Sequence, residues 1–228
     1  MSASRRHGIP CRLRAVIFDL DGTLVDTADE FVPAVQALRA ENGLGEMAAE
    51  RIRASVSNGA RALVRLGLGI EESDPDFEDR RLRLLELYAG VLGTVAAPYP
   101  GIVALLRDLA SEGIAWGIAT NKPREFTAPL MQRLALDPPP ASVVCPDDVR
   151  ERKPHPECLY RNCRDMDCAP TEAIYVGDHR RDIEAGRRAG MFTIAAGYGY
   201  IEPGDDPAAW GADALAASSG DLHGLILN

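Results

Sequence analysis

Five short apolar runs, rich in β-branched and aromatic residues, punctuate the chain: Leu13–Phe18, Ala115–Ala119, Ser142–Cys145, Ile174–Val176 and Phe192–Ala195. Each is almost continuously apolar and ends in polar residues or glycine. Strands without a polar alternation are buried on both faces. Between the later runs the period changes, with apolar residues recurring three and four apart. This spacing predicts helices over Ile102–Glu112, Glu125–Leu136, Pro156–Met166 and Ile183–Ala189. Gly113 and Gly190 stand just past two of them, where a glycine commonly ends a helix. Strands alternating with helices predict an α/β fold with a parallel sheet covered on both sides. The tail predicts one further edge strand near Ala212–Leu215 and a closing helix.

The rhythm breaks between Ala28 and Val95. That stretch has helical periodicity only, over Ala28–Asn42, Ala48–Leu66 and Asp76–Val95. A long strandless insertion in an α/β frame predicts a separate helical unit, residues 28–96, set into a core of residues 1–27 plus 97–228. Its hinges are expected near Thr27 and in "AAPYPG", Ala96–Gly101. From Ala89 to Leu106 no residue is charged, but Pro98, Pro100 and Gly101 interrupt the window, so no membrane span is expected.

Composition narrows the class. At 228 residues, 46% hydrophobic and 26% charged, the chain has ordinary globular proportions. A net charge of −9 argues against a nucleic-acid partner, which recruits basic surfaces. The amino-terminal "MSASRRHGIPCRLR" is basic but lacks the apolar stretch of a signal peptide. Cys11, Cys145, Cys158, Cys163 and Cys168 match no zinc spacing and read as free thiols, which fits a cytoplasmic protein.

The chemistry collects at the strand ends, where an open parallel sheet binds its ligands. Asp19 and Asp21 follow the first strand, in "DLDGT". Thr120, Asn121 and Lys122 follow the second, and Lys153 stands in "ERKPHPE" after the third. Asp178 and Asp182 follow the fourth, in "GDHRRD". Each has a bland explanation: Asp21-Gly22 as a turn, Thr120-Asn121 or Asp182 as helix caps, Lys153 as a solvated charge. Their convergence on one rim does not. Lysine usage sharpens the point, because Lys122 and Lys153 are the only lysines among 25 basic residues. A compact ammonium is not interchangeable with a planar guanidinium beside a carboxylate and a phosphoryl oxygen.

These four segments resemble the motifs of the haloacid dehalogenase superfamily of aspartate-nucleophile phosphatases, and the resemblance extends over essentially the whole chain. It implies a Rossmann-like core with the helical insertion as a mobile cap. It makes Asp19 the nucleophile and Asp21 the general acid and base, with Thr120 and Lys153 binding the phosphoryl group. Mg²⁺ would be held by Asp19, the Asp21 backbone carbonyl and Asp178, with Asp182 in support. The substrate implied is a small phosphorylated metabolite, bound by Thr120, Asn121 and Lys153. Arg61, in "SNGAR", is the candidate for its acid group, and Arg124 is a weaker one. His155 and His179 receive no catalytic role.

Within the superfamily, Asp21 and Asp178 argue against a metal-free dehalogenase. No lysine precedes Lys122, which argues against a Schiff-base phosphonate hydrolase. "TNKP" and the helical insertion resemble phosphoglycolate phosphatases, giving the primary expectation of a phosphomonoesterase for a small phosphorylated acid. The alternative is an N-acetylmuramic acid 6-phosphate phosphatase, resembled by "VSNGARALV", "CPDDV" and "GDHRRDIEAGRRAGM". A sugar-phosphate mutase is a remoter reading. So is a phospho-acceptor receiver module using Asp147 or Asp148. Oligomeric state has no signal in the sequence.

Overall fold

A computed structural model describes residues 10–228; the basic amino-terminal segment lies largely outside the described residues. In chain order the elements are β1 (Ala15–Phe18), β2 (Val25–Asp26), α1 (Ala28–Glu41), α2 (Ala49–Ser55), α3 (Gly59–Leu68), α4 (Phe77–Val91) and β3 (Ala97–Pro98). There follow α5 (Ile102–Ser111), β4 (Ala115–Ala119), α6 (Arg124–Leu134), β5 (Ser142–Val144), α7 (Glu157–Asp165), β6 (Ala173–Gly177) and α8 (Arg180–Ala189). The chain closes with β7 (Phe192–Ala196), β8 (Ala214–Ala216) and α9 (Asp221–Leu227).

Six parallel strands form one Rossmann-like sheet in the order β5-β4-β1-β6-β7-β8. The period-2 geometry of a strand divides β1 between two cores. Val16 and Phe18 join the larger one, with Leu105 and Leu109 of α5 and Leu222 of α9. Ala15 and Ile17 join the other, with Leu159 of α7 and Ala185 of α8. All four β1 residues have no exposed surface, which is why the run reads as continuously apolar. After β1 the sheet grows first through β4 and β5, then on the other side through β6 to β8. The crevice beyond β1 is therefore the switch point of the topology, where such sheets bind ligands.

Between β2 and β3 the chain is helical. These two strands pair antiparallel, Val25 with Pro98 and Asp26 with Ala97, so the segment leaves and returns along one short ribbon. The Tyr200 hydroxyl pins the exit. It accepts from the N–H groups of Thr27 (2.6 Å) and Ala28 (2.9 Å) and donates to Asp26 Oδ1 (2.7 Å). The ribbon has no signal in the pattern because two residues are too few to show a period.

One expected helix divides. Ala48–Leu66 forms α2 and α3, separated by a 3-10 turn at Val56–Asn58. Gly59 makes the break, with φ 80° and ψ −179°, a backbone conformation essentially confined to glycine. At α8 the helix begins at Arg180 rather than Ile183, because His179 and Asp182 cap its first turn. Among the described residues no helix is long and apolar enough to cross a membrane.

Candidate active site

The backbone N–H of Asp19 donates to Val176 O (2.9 Å), so the first aspartate is still positioned by the sheet. The loop then turns at Gly22, with φ +79°, against the loop after β6. A Cβ at Gly22 would lie 2.0 Å from Asp178 Oδ2, so the close approach of the two acidic loops requires glycine there.

Lys153 Nζ, with no exposed side-chain surface, is the hub. It lies 2.9 Å from Asp19 Oδ1 and 2.8 Å from Asp182 Oδ1, and reaches Ala119 O (2.8 Å) and Tyr175 Oη (2.9 Å). Burial works against its charge, but Asp182 and Asp19 outweigh burial and hold the ammonium above its ordinary pKa. The three carboxylates respond differently. Burial pushes Asp19 up to about 6, against the pull of Lys153. Burial also pushes Asp182 upward, but Lys153 and Arg181 prevail and hold it below the usual carboxylate range. Asp178 is pushed up to about 8 by burial and by the neighbouring charges of Asp19 and Asp182.

One carboxylate oxygen from each of Asp19, Asp178 and Asp182 falls within 4.8 Å of the others. Asp178 has no cationic partner among the described residues. Its Oδ2 accepts from Ser57 Oγ (2.8 Å) and the Tyr200 N–H (3.0 Å). A buried, oxygen-only, multiply acidic set suits a hard divalent cation, whose charge would offset the crowding that raises Asp178. Asp21 keeps its carboxylate out of this cluster. Its Oδ1 accepts from Thr27 Oγ1 (2.6 Å) and Lys122 Nζ (3.0 Å).

Asp19, Asp21, Thr120, Asn121, Lys153 and Arg61 line a single cavity of about 370 Å³. Thr120 is buried, its Oγ1 accepting from the Lys122 N–H (3.0 Å), and Asn121 Nδ2 donates to Lys153 O (3.2 Å). Asp178 and Asp182 do not line the cavity and join it through Asp19. Arg61 reaches the wall with its guanidinium already bridging Glu72 Oε2 (2.9 Å) and Glu78 Oε2 (3.3 Å). Arg124 is not part of the wall; it pairs with Asp148. His155 is a surface group bonded to Glu151 (2.9 Å).

Several contributors lie in the quoted segments without having been singled out there as site residues. The turn at Val56–Asn58 docks on the loop after β6: Ser57 reaches Asp178, and Arg181 donates to Ser57 O. His179 Nδ1 accepts from the Arg181 N–H, so the ring hydrogen sits on Nε2 and donates to Asn58 Oδ1 (3.1 Å). Asn58 Nδ2 in turn donates to Glu202 Oε1 (2.7 Å). Burial lowers the half-buried His179 to about 4, leaving it neutral. Arg152 also lines the cavity, and its guanidinium has no ion pair among the described residues.

The haloacid dehalogenase-like hydrolase family model matches residues 16–196, and the chain belongs to that family. An N-acetylmuramic acid 6-phosphate phosphatase of Pseudomonas aeruginosa is 44% identical over 215 residues, covering 94% of this chain and 95% of its own. A phosphoglycolate phosphatase of Xanthomonas campestris pv. campestris is 38% identical over 203 residues, covering 89% and 91%. Among solved structures, one described as a predicted phosphoglycolate phosphatase from Haemophilus somnus superposes with a TM-score of 0.81. It is 23% identical and covers 92% of this chain and 96% of its own.

Proposed function

We propose that the chain is a Mg²⁺-dependent phosphomonoesterase that removes phosphate from a sugar acid of the N-acetylmuramic acid 6-phosphate kind. The observation that carries the substrate class is the cavity over Asp19 and Asp21. At about 370 Å³ it lies in the range of roughly 300–1,000 Å³ that encloses drug-sized ligands, and a phosphorylated hexose is of that size. A two-carbon phospho-acid would fill a fraction of it. The 44% identical relative bears the same substrate in its name. Arg152, unpaired at the wall, is suited to the substrate's carboxylate.

Asp19, Asp178 and Asp182 are the residues that would hold the metal, with the Asp21 backbone carbonyl. When bound, Mg²⁺ supplies charge neutralisation between the acidic cluster and the anionic substrate. The remaining chemistry belongs to the chain. Lys153 and Thr120 hold the phosphoryl oxygens while Asp19 attacks phosphorus in line and forms an aspartyl-phosphate. Asp21 protonates the departing alkoxide, then takes a proton from the water that hydrolyses the acyl phosphate. The helical unit, residues 28–96, is the cap over a core of residues 1–27 plus 97–228. Its docking turn at Val56–Asn58 closes the site against bulk water.

A second reading, phosphoglycolate as substrate, has the 38% identical relative in its favour. Steady-state phosphate release with Mg²⁺ separates the two. N-acetylmuramic acid 6-phosphate is expected to exceed 2-phosphoglycolate in kcat/KM by about 100-fold, with Asp19→Asn inactive on both. Preference for phosphoglycolate would overturn the sugar-acid assignment. Normal turnover by Asp19→Asn would overturn the mechanism.

A further inference from the structure

Lys122 is placed between the two parts of the molecule. Its backbone belongs to the loop after β4, but its ammonium lies among cap side chains. Nζ donates to Tyr88 Oη of α4 (2.6 Å) and sits 4.6 Å from the centre of that ring. It lies 5.2 Å from the ring of Phe31 on α1, which stacks on Tyr88 at 3.9 Å. In the other direction Nζ donates to Asp21 Oδ1 (3.0 Å). The side chain is 5% exposed. The Thr120, Thr127 and Lys122 backbone contacts hold its root, with the Lys122 N–H on Thr120 Oγ1 (3.0 Å) and Thr127 Oγ1 on Lys122 O (3.1 Å).

An ammonium has three donors and no acceptor, so two of the three are committed, one to each side. Burial excludes the water that would otherwise solvate the charge. Two aromatic faces and the Tyr88 oxygen replace that water. Those groups all belong to α1 and α4. If the cap moves away, the ammonium loses its box and is free to leave Asp21. With the cap closed, Thr27 and Lys122 grip Asp21 Oδ1 from two sides, which sets the plane of the carboxyl group.

We infer that Lys122 is the positioning residue for Asp21, and that Tyr88 makes this positioning conditional on cap closure. The assignment rests on Asp21 being the general acid, as proposed above. The gripped oxygen Oδ1 is engaged, so the proton passes on Oδ2: it leaves Asp21 for the ester oxygen as the phosphorus–oxygen bond breaks. It returns from water when the aspartyl-phosphate is hydrolysed. Closure then delivers two things in one motion, a dry site and an aimed acid. Lys122 does not touch the phosphoryl group, which is the task of Lys153.

The test uses the leaving group. A sugar 6-phosphate expels an alkoxide that needs the proton, whereas 4-nitrophenyl phosphate expels a phenolate that does not. Lys122→Met keeps the length and apolar body of the side chain. Because hydrolysis of the aspartyl-phosphate is common to both esters, the readout is the single-turnover rate of leaving-group release, which is expected to fall by about 100-fold on the sugar phosphate while the aryl ester loses no more than about threefold. Tyr88→Phe, which keeps both rings, is expected to show the same selectivity at about tenfold. Asp21→Asn is the reference for a lost acid. If Asp21→Asn is leaving-group selective and Lys122→Met slows both esters equally, the positioning role is wrong. If Asp21→Asn itself slows leaving-group release from both esters equally, the acid assignment beneath it fails instead.

Discussion

Lys153 shows how much one buried cation can organise. It faces Asp19 and Asp182 at 2.9 and 2.8 Å with no solvent to share the charge. Breaking a buried pair leaves the partner charge uncompensated, at a cost of about 3–5 kcal/mol. Lys153→Met is therefore expected to lower the unfolding free energy measured by urea titration by that amount and to abolish turnover, whereas a solvated surface lysine would change neither. Residues of this kind were legible because their types are rare in their contexts: two acids after a greasy strand, and two lysines among arginines. Lys122 carried the same signal, but nothing in a sequence says that Phe31 and Tyr88 meet around it. Arg61 was singled out for its place in a small-residue turn. The acids that occupy it, Glu72 and Glu78, come from beyond α3 and from α4, and only folding brings them together.

At the scale of elements, strands and helices of the core follow from periodicity, and the departures occur where a few residues decide. Gly59 cuts one expected helix into two, and the resulting turn presents Ser57 and Asn58 to the core. A ribbon of two strands, each two residues long, is invisible to any period. That ribbon has its own electrostatics. Partial burial raises Asp26, but the Tyr200 hydroxyl, Arg53 and the Ala28 N–H outweigh it and hold the carboxyl below its ordinary range. A depressed pKa contributes stability that is complete above the unfolded value of about 3.9 and is lost as pH falls through the folded one. Protonating Asp26 removes the acceptor of Tyr200, whose oxygen holds the Thr27 and Ala28 amides. Hydrogen-exchange protection at those two amides is expected to be flat above about pH 4 and to drop below it. In Asp26→Asn the drop is expected to vanish; an unchanged pH profile in that variant would show that the Thr27 and Ala28 amides are held by other groups.

For the molecule as a whole, the helical segment meets the core through polar contacts, Ser57 to Asp178, Asn58 to His179 and Glu202 and Tyr88 to Lys122, and through apolar packing such as Tyr88 against Phe126, around a cavity lined from both sides. This is the joint that the proposed cap opens and closes. It also has a consequence for the reagents a chemist would bring to it. The only side-chain amines in the sequence belong to Lys122 and Lys153, whose side chains are 5% and 0% exposed, and every other strongly basic side chain is a guanidinium. An acylating reagent thus finds no lysine on the outer surface and must wait for the lid to lift. Its reaction at Lys122, followed by mass spectrometry, becomes a stopwatch for opening, expected to slow when a phosphate mimic holds the lid down. Fast modification that ignores such a ligand would mean that the amine is reached by another route. A choice between two kinds of cation has left the enzyme carrying its own site-directed label.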